Sequence, residues 1–428
     1  MTDQDTAEAC LARGTARLAR PTVDAADIEA AEADFRHALA LQPGLLAARR
    51  ALGDALLSHG NALLAHERLR DAERVYRQAI AVLPSYADAI GNLGQALVAQ
   101  NRLEEAIGLL RTALVLNPDD TNSHFALACA LLLIGETEEG WRRYEIRRQT
   151  PSPDTERRPE LPRWEAGQDV AGRRVLLMAE QGVGDTIQYL RLAPLLARRA
   201  ARVVLEVPPV LRAMVGGVPG IAAVVVPEEP APDCDLLLPM MSLPLCLGYD
   251  PVRLPLPVPY LHVPPDRRDA WQDWLGPAEG LRIGLNVSGD YRHGRDRLRS
   301  VPLARFAPLF DLPGCRFVLL NPALRETDVP PPSALCLPGP LLRDFADTGA
   351  LIRQLDLVIA ADTGVAHLAA ALGRPVWTLL AFAPDFRWRL HAADTPWYPT
   401  MKLYRQPQPG DWDAVIAAVR RDLAAWHP

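Results

Sequence analysis

The sequence predicts an α-helical solenoid over residues 1–150, followed by a pair of Rossmann-like α/β halves. Pro84 and Pro118 lie 34 residues apart, and each closes a helical segment, which indicates a repeat. After Arg174 the pattern changes, because short apolar runs that favour strands alternate with helical segments. Such alternation predicts a parallel sheet with ligand sites at the carboxyl ends of its strands. A chain of 428 residues is also too long for one ordinary core.

Composition excludes several classes of protein. A formal net charge of −6 argues against a broad nucleic-acid surface. The N-terminal stretch MTDQDTAEAC lacks the apolar core of a signal peptide, and no apolar stretch reaches the roughly 20 residues of a membrane span. The six cysteines are scattered without a CxxC pair, which predicts a reducing compartment and neither disulfides nor a zinc site. We therefore expect a cytoplasmic protein without a membrane span or a nucleic-acid partner.

The repeat is clearest in the unit DAIGNLGQALVAQNRLEEAIGLLRTALVLNP. Small residues at Gly94 and Ala106 allow two helices to approach closely, and larger residues such as Leu97 and Leu110 fill the space between them. The spacing resembles the tetratricopeptide repeat, and about three and a half units are predicted. For the preceding unit the signature is assigned to Gly53, Ala72, Tyr76, Ala79 and Pro84, with about seven extra residues near SHGNALLAHER.

A change in composition separates the repeats from the α/β part. Residues 151–173 are rich in proline and charge, which predicts a linker that Trp164 anchors to the next domain. The first Rossmann-like half is expected over 174–265 and the second over 280–428. Their predicted strands include RVLLMAE, ARVVLEV and CDLLLP in the first half, and LRIGLNVSG, CRFVLLN, LDLVIA and PVWTLLAF in the second.

Two strand-to-helix turns stand out as candidate sites. The turn GVGD follows the first strand, where glycines permit close approach of a ligand, and Asp185 is either a helix cap or a chemical group. It is not the dinucleotide fingerprint, because Ile187 occupies the third glycine position. The turn DTGVAH follows another strand, and a helix N-terminus there suits a diphosphate. His367, one turn into that helix, is either structural or catalytic.

Five motifs carry a more specific resemblance: AEQGVGDTIQ, GRDRLRSVPL, DLVIAADTGVAHLAAALGRPVW, DFRWRL and PWYPTMKLYRQPQPGDWDAVI. They resemble the tetratricopeptide-linked bacterial glycosyltransferases of the ADP-heptose:lipopolysaccharide heptosyltransferase superfamily. The resemblance implies the GT-B fold, with a nucleotide-sugar donor held by the C-terminal half and an acceptor entering from the N-terminal half. It further implies an inverting transfer that needs neither a metal nor another cofactor.

The same resemblance implies roles for individual residues. Asp185 is the implied general base, taking the proton of the acceptor hydroxyl, and His367 is the second catalytic candidate. Cations beside the leaving diphosphate would stabilise the charge that develops in the transition state. The implied donor and phosphate set is Gly182, Gly184, Arg295, Arg297, Arg299, Asp362, Thr363 and Gly364.

The solenoid predicts a concave face that binds a protein segment. Asn92 occupies the position of the asparagine ladder in some glycosyltransferase solenoids, but the neighbouring units are assigned Ala51 and Ala126 there, so no ladder is predicted. The face lacks a basic clamp for an acidic tail. Alternatively, the solenoid only stiffens the protein or drives homo-oligomerisation. The predicted groove residues are Arg50, Asp54, Asp88, Asn92, Gln95, Asn122 and Phe125.

Three functions remain open from the sequence. The first is glycosylation of a protein recognised by the solenoid, as in flagellin-type glycosylation. The second is synthesis of lipopolysaccharide or another surface glycan, and the third is a scaffold with a degenerate, non-catalytic transferase domain. The presence of Asp185, the arginine loop and His367 argues against the scaffold. The solenoid favours the protein acceptor over the glycan.

Overall fold

The computed structural model describes residues 6–20, 22–230, 233–252, 255–269, 271–277, 280–291, 294, 296–328 and 333–427. The chain divides after Thr150 into two compact units. The described residues of the first unit form helices and the turns between them, and the second unit is α/β. No helix within the described ranges is both long and apolar enough to cross a membrane.

The first unit consists of helices that pack in consecutive antiparallel pairs, α1 with α2 through α7 with α8. Short polar side chains define several helix ends: Asp24 accepts the N–H of Asp27 at the start of α2, and Asp120 accepts that of Asn122 at the start of α7. The helices are α1 (Ala7–Leu18), α2 (Ala25–Leu41), α3 (Leu46–Ala65), α4 (Leu69–Val82), α5 (Ala87–Ala99), α6 (Leu103–Leu116), α7 (Thr121–Ile134) and α8 (Thr137–Tyr144).

The repeat phase predicted for α3 is wrong. A Cβ atom added to Gly60 would lie 2.4 Å from Cε1 of Tyr76, just as one added to Gly94 would lie 2.6 Å from Cγ of Leu110. In both pairs the glycine faces an aromatic or aliphatic side chain 16 residues later, on the next helix. Gly60, rather than Gly53, is therefore the small signature residue, and the unit repeats at 34 residues like its neighbour. The seven extra residues lie at the start of α3.

The second unit begins with a four-stranded parallel sheet in the order β3-β2-β1-β4. Strands β2 and β3 are added on one side of β1, and the chain then returns to add β4 on its other side. The order of strand addition therefore reverses between β1 and β4, although all four strands are parallel. Ligands bind at such switch points, outside the carboxyl ends of the strands. The strands are β1 (Arg174–Met178), β2 (Arg202–Glu206), β3 (Ala223–Val225) and β4 (Leu236–Pro239).

The predicted linker is part of this sheet and is not a free connection. The backbone N–H of Trp164 donates to the carbonyl of Leu237 at 2.8 Å, and Leu237 donates to Pro162 at 2.8 Å, which adds a parallel bridge beside β4. The Trp164 side chain is 1% exposed, as expected for an anchor. Arg158 also reaches the buried carboxylate of Glu206 at 2.6 Å. Proline content alone did not reveal this packing.

The second sheet of the α/β unit is parallel and six-stranded, in the order β10-β9-β8-β5-β6-β7. Its switch point lies between β5 and β8. The two sheets confirm the predicted GT-B arrangement of two Rossmann-like halves. The strands are β5 (Leu281–Asn286), β6 (Cys315–Leu319), β7 (Leu335–Cys336), β8 (Leu357–Ala361), β9 (Val376–Leu380) and β10 (Met401–Arg405).

Helices cover both sheets, and most are short. The terminal helix α19 buries Val415, Ile416 and Val419 in the core of the second half, and Asp411 caps its N-terminus by accepting the N–H of Ala414. The helices are α9 (Pro153–Glu156), α10 (Val183–Leu190), α11 (Ala193–Ala197), α12 (Arg212–Val215), α13 (Leu243–Leu247), α14 (Gln272–Leu275), α15 (Asp296–Arg299), α16 (Ala307–Phe310), α17 (Phe345–Arg353), α18 (Gly364–Ala371) and α19 (Trp412–Ala424).

The assignment of Gly60 as the small signature residue predicts how two glycine substitutions change the stability of the protein. Gly60→Ala should lower the free energy of unfolding by about 1–3 kcal/mol, because the new methyl group overlaps the Tyr76 ring. Gly108→Ala is the matched control: it lies inside α6 with nothing within 4 Å of an added Cβ atom, so alanine should stabilise the protein by about 0.5–1 kcal/mol. Urea denaturation of both variants measures the difference. Equal stability of the two variants would contradict the corrected phase.

Candidate active site

Two helix N-termini meet where the halves of the α/β unit come together. Helix α10 follows β1 through the turn GVGD, and α18 follows β8 through the turn DTG. A Cβ atom added to Gly184 would lie 2.9 Å from Cδ2 of His367 and 3.4 Å from Cα of Gly364. One added to Gly364 would lie 3.4 Å from Cγ1 of Val183. Glycine is required at Gly184 for this approach, which brings together the two turns that the sequence singled out.

Asp185 lies in the first turn of α10 and is not its N-cap residue. Gly182 holds the cap position, and its N–H donates to Oδ2 of Asp185 at 2.9 Å. The other oxygen, Oδ1, accepts from Nη2 of Arg387, which comes from the opposite half. The side chain remains 15% exposed. Each oxygen therefore accepts one identified hydrogen bond and keeps a further lone pair.

Arg387, to which the sequence assigned no role, is the most heavily bonded side chain at the site. It belongs to the motif DFRWRL, which the sequence singled out as a whole. Its Nη1 donates to Oε1 of Gln188 at 2.7 Å, and its Nε donates to Oδ1 of Asp385 at 2.8 Å. Burial opposes its charge, yet the carboxylates of Asp385 and Asp185 hold the pKa of Arg387 above its ordinary value.

His367 is buried, at 2% exposed, among aromatic groups. Its ring stacks on Trp388 with centroids 5.3 Å apart, and its Nδ1 lies 3.0 Å from the hydroxyl of Tyr398. Its Nε2 lies 3.5 Å from Nη1 of Arg387. Burial, reinforced by the charges of Arg387 and Arg299, holds the pKa of His367 well below its ordinary value. His367 is therefore neutral at physiological pH.

The N-terminus of α18 forms the second part of the site. The Thr363 hydroxyl donates to Oδ1 of Asn286 at 2.6 Å and makes no cap hydrogen bond, so N–H groups in the first turn stay available to a ligand. Asn286 is fixed in turn by Asn321 at 3.1 Å. Neither asparagine was assigned a role from the sequence, although Asn286 ends the predicted strand LRIGLNVSG.

The arginine loop contributes unequally to this site. Nη1 of Arg299 donates to the backbone carbonyl of Asp362 at 3.1 Å, immediately before the α18 turn. Arg297 is exposed on the same short helix, and Arg295 lies outside the described residues. The Asp362 residue is half-buried, and its carboxyl group accepts the Trp388 indole N–H at 2.8 Å. Burial raises its pKa, although the charge of Arg387 opposes the rise.

The predicted groove residues in the first unit occupy a polar stretch of α3, α5 and α7. Arg50 pairs with Asp54 at 3.2 Å and lies over the ring of Tyr86, whose hydroxyl donates to Asp54 at 2.5 Å. Asp88 and Asn122 are exposed, and Phe125 is 39% exposed. On the corrected 34-residue spacing, Asp54, Asp88 and Asn122 are equivalent positions.

Asn92 has an asparagine neighbour that does not occupy the equivalent position of the preceding repeat. Its Nδ2 donates to Oδ1 of Asn61 at 2.7 Å, and Gln95 donates to Asn92 at 3.2 Å. The Tyr76 hydroxyl also donates to Asn61, at 2.8 Å. On the corrected 34-residue spacing the positions equivalent to Asn92 are Ser58 and Ala126, and Asn61 is equivalent to Gln95, so the prediction that no asparagine ladder is present does not change.

The described part of the chain contains no group of three or more His, Cys, Asp or Glu side chains that could hold a metal ion. The side chains gathered at the α10 and α18 termini are instead suited to hydrogen bonding and to binding an anion. Two helix N-termini and two arginines supply positive charge, and Asp185 supplies a carboxylate with access to solvent.

Comparison with known proteins identifies both parts of the chain. Residues 342–408 match the model of glycosyltransferase family 9 (heptosyltransferase), and residues 57–121 match that of the tetratricopeptide repeat. Protein FlbA of Caulobacter vibrioides (strain ATCC 19089 / CIP 103742 / CB 15) is 26% identical over 356 residues, which cover 70% of this chain and 55% of FlbA. The chain thus spans about half the length of that relative.

Two solved structures are similar to the α/β part. The E. coli ADP-heptose lipopolysaccharide heptosyltransferase II is 15% identical, with a TM-score of 0.40 over 59% of this chain and 98% of that one. The family 9 glycosyltransferase of Veillonella parvula DSM 2008 is 10% identical, with a TM-score of 0.44 over 62% of this chain and 92% of that one. By the two family matches, the chain carries a tetratricopeptide-repeat region followed by a glycosyltransferase family 9 (heptosyltransferase) domain.

Proposed function

We propose that the α/β unit transfers a sugar from a nucleotide-sugar donor to a hydroxyl group of a protein acceptor, and that the solenoid recognises that protein. The supporting observation is the meeting of Asp185, from one half, with the N-terminus of α18 and Arg299, from the other. A base and an anion site side by side are what displacement of a nucleoside diphosphate requires. The heptosyltransferase name of the family makes ADP-heptose the first donor to test.

In the proposed reaction the donor diphosphate binds at the N-terminus of α18, near Thr363 and Arg299. The acceptor oxygen attacks the anomeric carbon from the face opposite the diphosphate, and Asp185 takes the hydroxyl proton. The bond from the anomeric carbon to the diphosphate oxygen breaks, and the nucleoside diphosphate leaves with the bonding electrons. The new glycosidic bond has the inverted configuration. Positive charge at the helix end and on Arg299 stabilises the departing diphosphate without a metal.

A surface-glycan acceptor is the second candidate function. It is favoured by the heptosyltransferase name of the matched family. The protein acceptor is preferred because the solenoid presents polar groups that a peptide can contact, with Asp88 and Asn122 exposed and Asn92 half-buried. A purely structural role for the α/β unit would leave the Asp185 and Arg299 arrangement without a function.

The base assignment is tested with Asp185→Asn. Asparagine retains an oxygen for the Gly182 N–H but cannot accept the acceptor's proton, so turnover should fall on the order of a hundredfold or more. Donor affinity should change by less than about threefold, because the carboxylate does not bind the diphosphate. Sugar transfer and calorimetry with the nucleoside diphosphate measure the two effects. Near-normal turnover of the variant would exclude Asp185 as the base.

The donor site is tested by comparing two arginines on one short helix. Arg299→Ala should weaken binding of ADP about ten- to a hundredfold, since a charged hydrogen bond is worth about 1.5–3 kcal/mol. Arg297→Ala, its exposed neighbour, should change the affinity by less than about threefold. Calorimetry with ADP, UDP, GDP and CDP measures both variants. Failure of the unmutated protein to bind any of the four would contradict the donor-site assignment.

The role of the solenoid is tested by deleting residues 1–150. The remaining chain must begin at Pro151 and not at Arg174, because Trp164 and Arg158 belong to the α/β core. The shortened protein should bind nucleoside diphosphate normally but lose transfer to its protein acceptor. Transfer to that acceptor at the full-length rate would show that the solenoid does not recognise it. A chain starting at Arg174 should be destabilised, as a control for the boundary.

A further inference from the structure

We propose that Arg387 is the positioning residue that assembles the catalytic base, holding the Asp185 carboxylate from the opposite half of the α/β unit. This inference rests on the proposed function, since it assumes that Asp185 takes the acceptor's proton. Its consequence is that neither half carries a complete base by itself. The base is formed only where the DFRWRL loop of the C-terminal half meets α10 of the N-terminal half.

The guanidinium geometry supports this role. Asp185 and Gln188 are three residues apart and therefore lie on the same face of α10. Arg387 contacts both with its two terminal nitrogens, while its Nε is held by Asp385 within its own loop. Because all three nitrogens of the planar Arg387 guanidinium group are hydrogen-bonded, the group itself is fixed. Its hydrogen bond to Asp185 therefore leaves the carboxylate little rotational freedom. Lysine has one nitrogen and could not reproduce the arrangement.

The side chain of Arg387, the positioning residue, is less exposed to solvent than that of Asp185, the group proposed to react. The Arg387 side chain is 8% exposed, whereas that of Asp185 is 15% exposed. All three guanidinium nitrogens are already bonded to protein groups, so the arginine is not required to touch the acceptor. It acts through Asp185, whose oxygens each keep a lone pair.

A chain of buried hydroxyl groups shows why His367 supports Arg387 and does not compete with Asp185. The Tyr260 hydroxyl donates to the carbonyl of Ile187 at 2.9 Å, so its oxygen accepts from Tyr398 at 3.3 Å. Tyr398 has one proton and uses it there, so it must accept from Nδ1–H of His367 at 3.0 Å. The Nε2 atom of neutral His367 is then an acceptor and faces Nη1 of Arg387 at 3.5 Å. The histidine is a fixed acceptor on the far side of the guanidinium.

A double-mutant cycle on transfer tests the proposal. Arg387→Gln should lower kcat about tenfold to a hundredfold while changing the affinity for ADP by less than about threefold. Introduced into Asp185→Asn, the same change should lower kcat by less than about threefold further, because the group that Arg387 positions is already absent. Arg387→Lys should recover less than half of the lost rate, since charge without the fork does not orient the carboxylate.

Arg267→Gln is the matched control. Arg267, in the segment that precedes β5, also pairs with a buried carboxylate, that of Asp347 on α17, and neither residue belongs to the DFRWRL loop or to α10. Rates are expressed per folded molecule, measured by circular dichroism. The control should keep kcat within about twofold in both Asp185 backgrounds, which separates loss of a buried ion pair from loss of positioning.

A second cycle, on the unfolding equilibrium in urea, does not depend on activity. The Asp185→Asn and Arg387→Gln changes should show a coupling of at least about tenfold in the unfolding constant, as close charge pairs do. A coupling below about twofold would overturn the proposal, as would multiplicative losses of kcat in the transfer cycle. Strong coupling in a protein that transfers no sugar would contradict the proposed function and reduce Arg387 to a structural bridge.

Discussion

The close approach of α10 and α18 is the constraint on which the rest of the site depends. Helix N-termini repel one another, because each carries partial positive charge and unsatisfied N–H groups. Here they approach so closely that a side chain at Gly184 would overlap His367. The repulsion is offset by the carboxylate of Asp185, which accepts a helix N–H and also an arginine of the other half. One acidic residue in the first turn of α10 thus accepts the N–H of the cap residue Gly182 and joins the two halves.

Buried cations hold this arrangement from both sides. Arg387 is surrounded by carboxylate, amide and imidazole groups. Arg191, at the end of α10, instead donates to the carbonyls of Trp397 and Leu256 and lies over the rings of Tyr260 and Tyr398. Carbonyl dipoles and aromatic faces compensate its charge. Both ends of α10 are therefore attached to segments outside the first sheet, which keeps Asp185 in place.

The proposed base, supplied by one half and held by an arginine of the other, has a consequence for control of the proposed reaction. If Asp185 were oriented within its own half, it would be equally competent whether or not the donor half was in place. Orientation by Arg387 links the base to the loop that also carries Trp388, and Trp388 binds the Asp362 carboxylate beside the α18 turn. The proposed donor site and the proposed base thus share one set of side chains. The DFRWRL motif thus contacts residues of both turns, Asp185 from 202 positions away in the chain and Asp362 from 26.

The sequence by itself determined the order of the two units, the parallel α/β halves and the two glycine turns, because these depend on local periodicity and on glycine spacing. It also indicated Asp185, Thr363 and His367. The repeat phase of α3 was wrongly assigned from the sequence, because both Gly53 and Gly60 fit the small signature position. Only their packing partners, Leu83 and Tyr76, distinguish the two glycines. Tertiary structure alone decided that Arg299 reaches the site and that Arg387 holds Asp185. Residues 202 positions apart in the chain meet there, and no local pattern encodes such a contact.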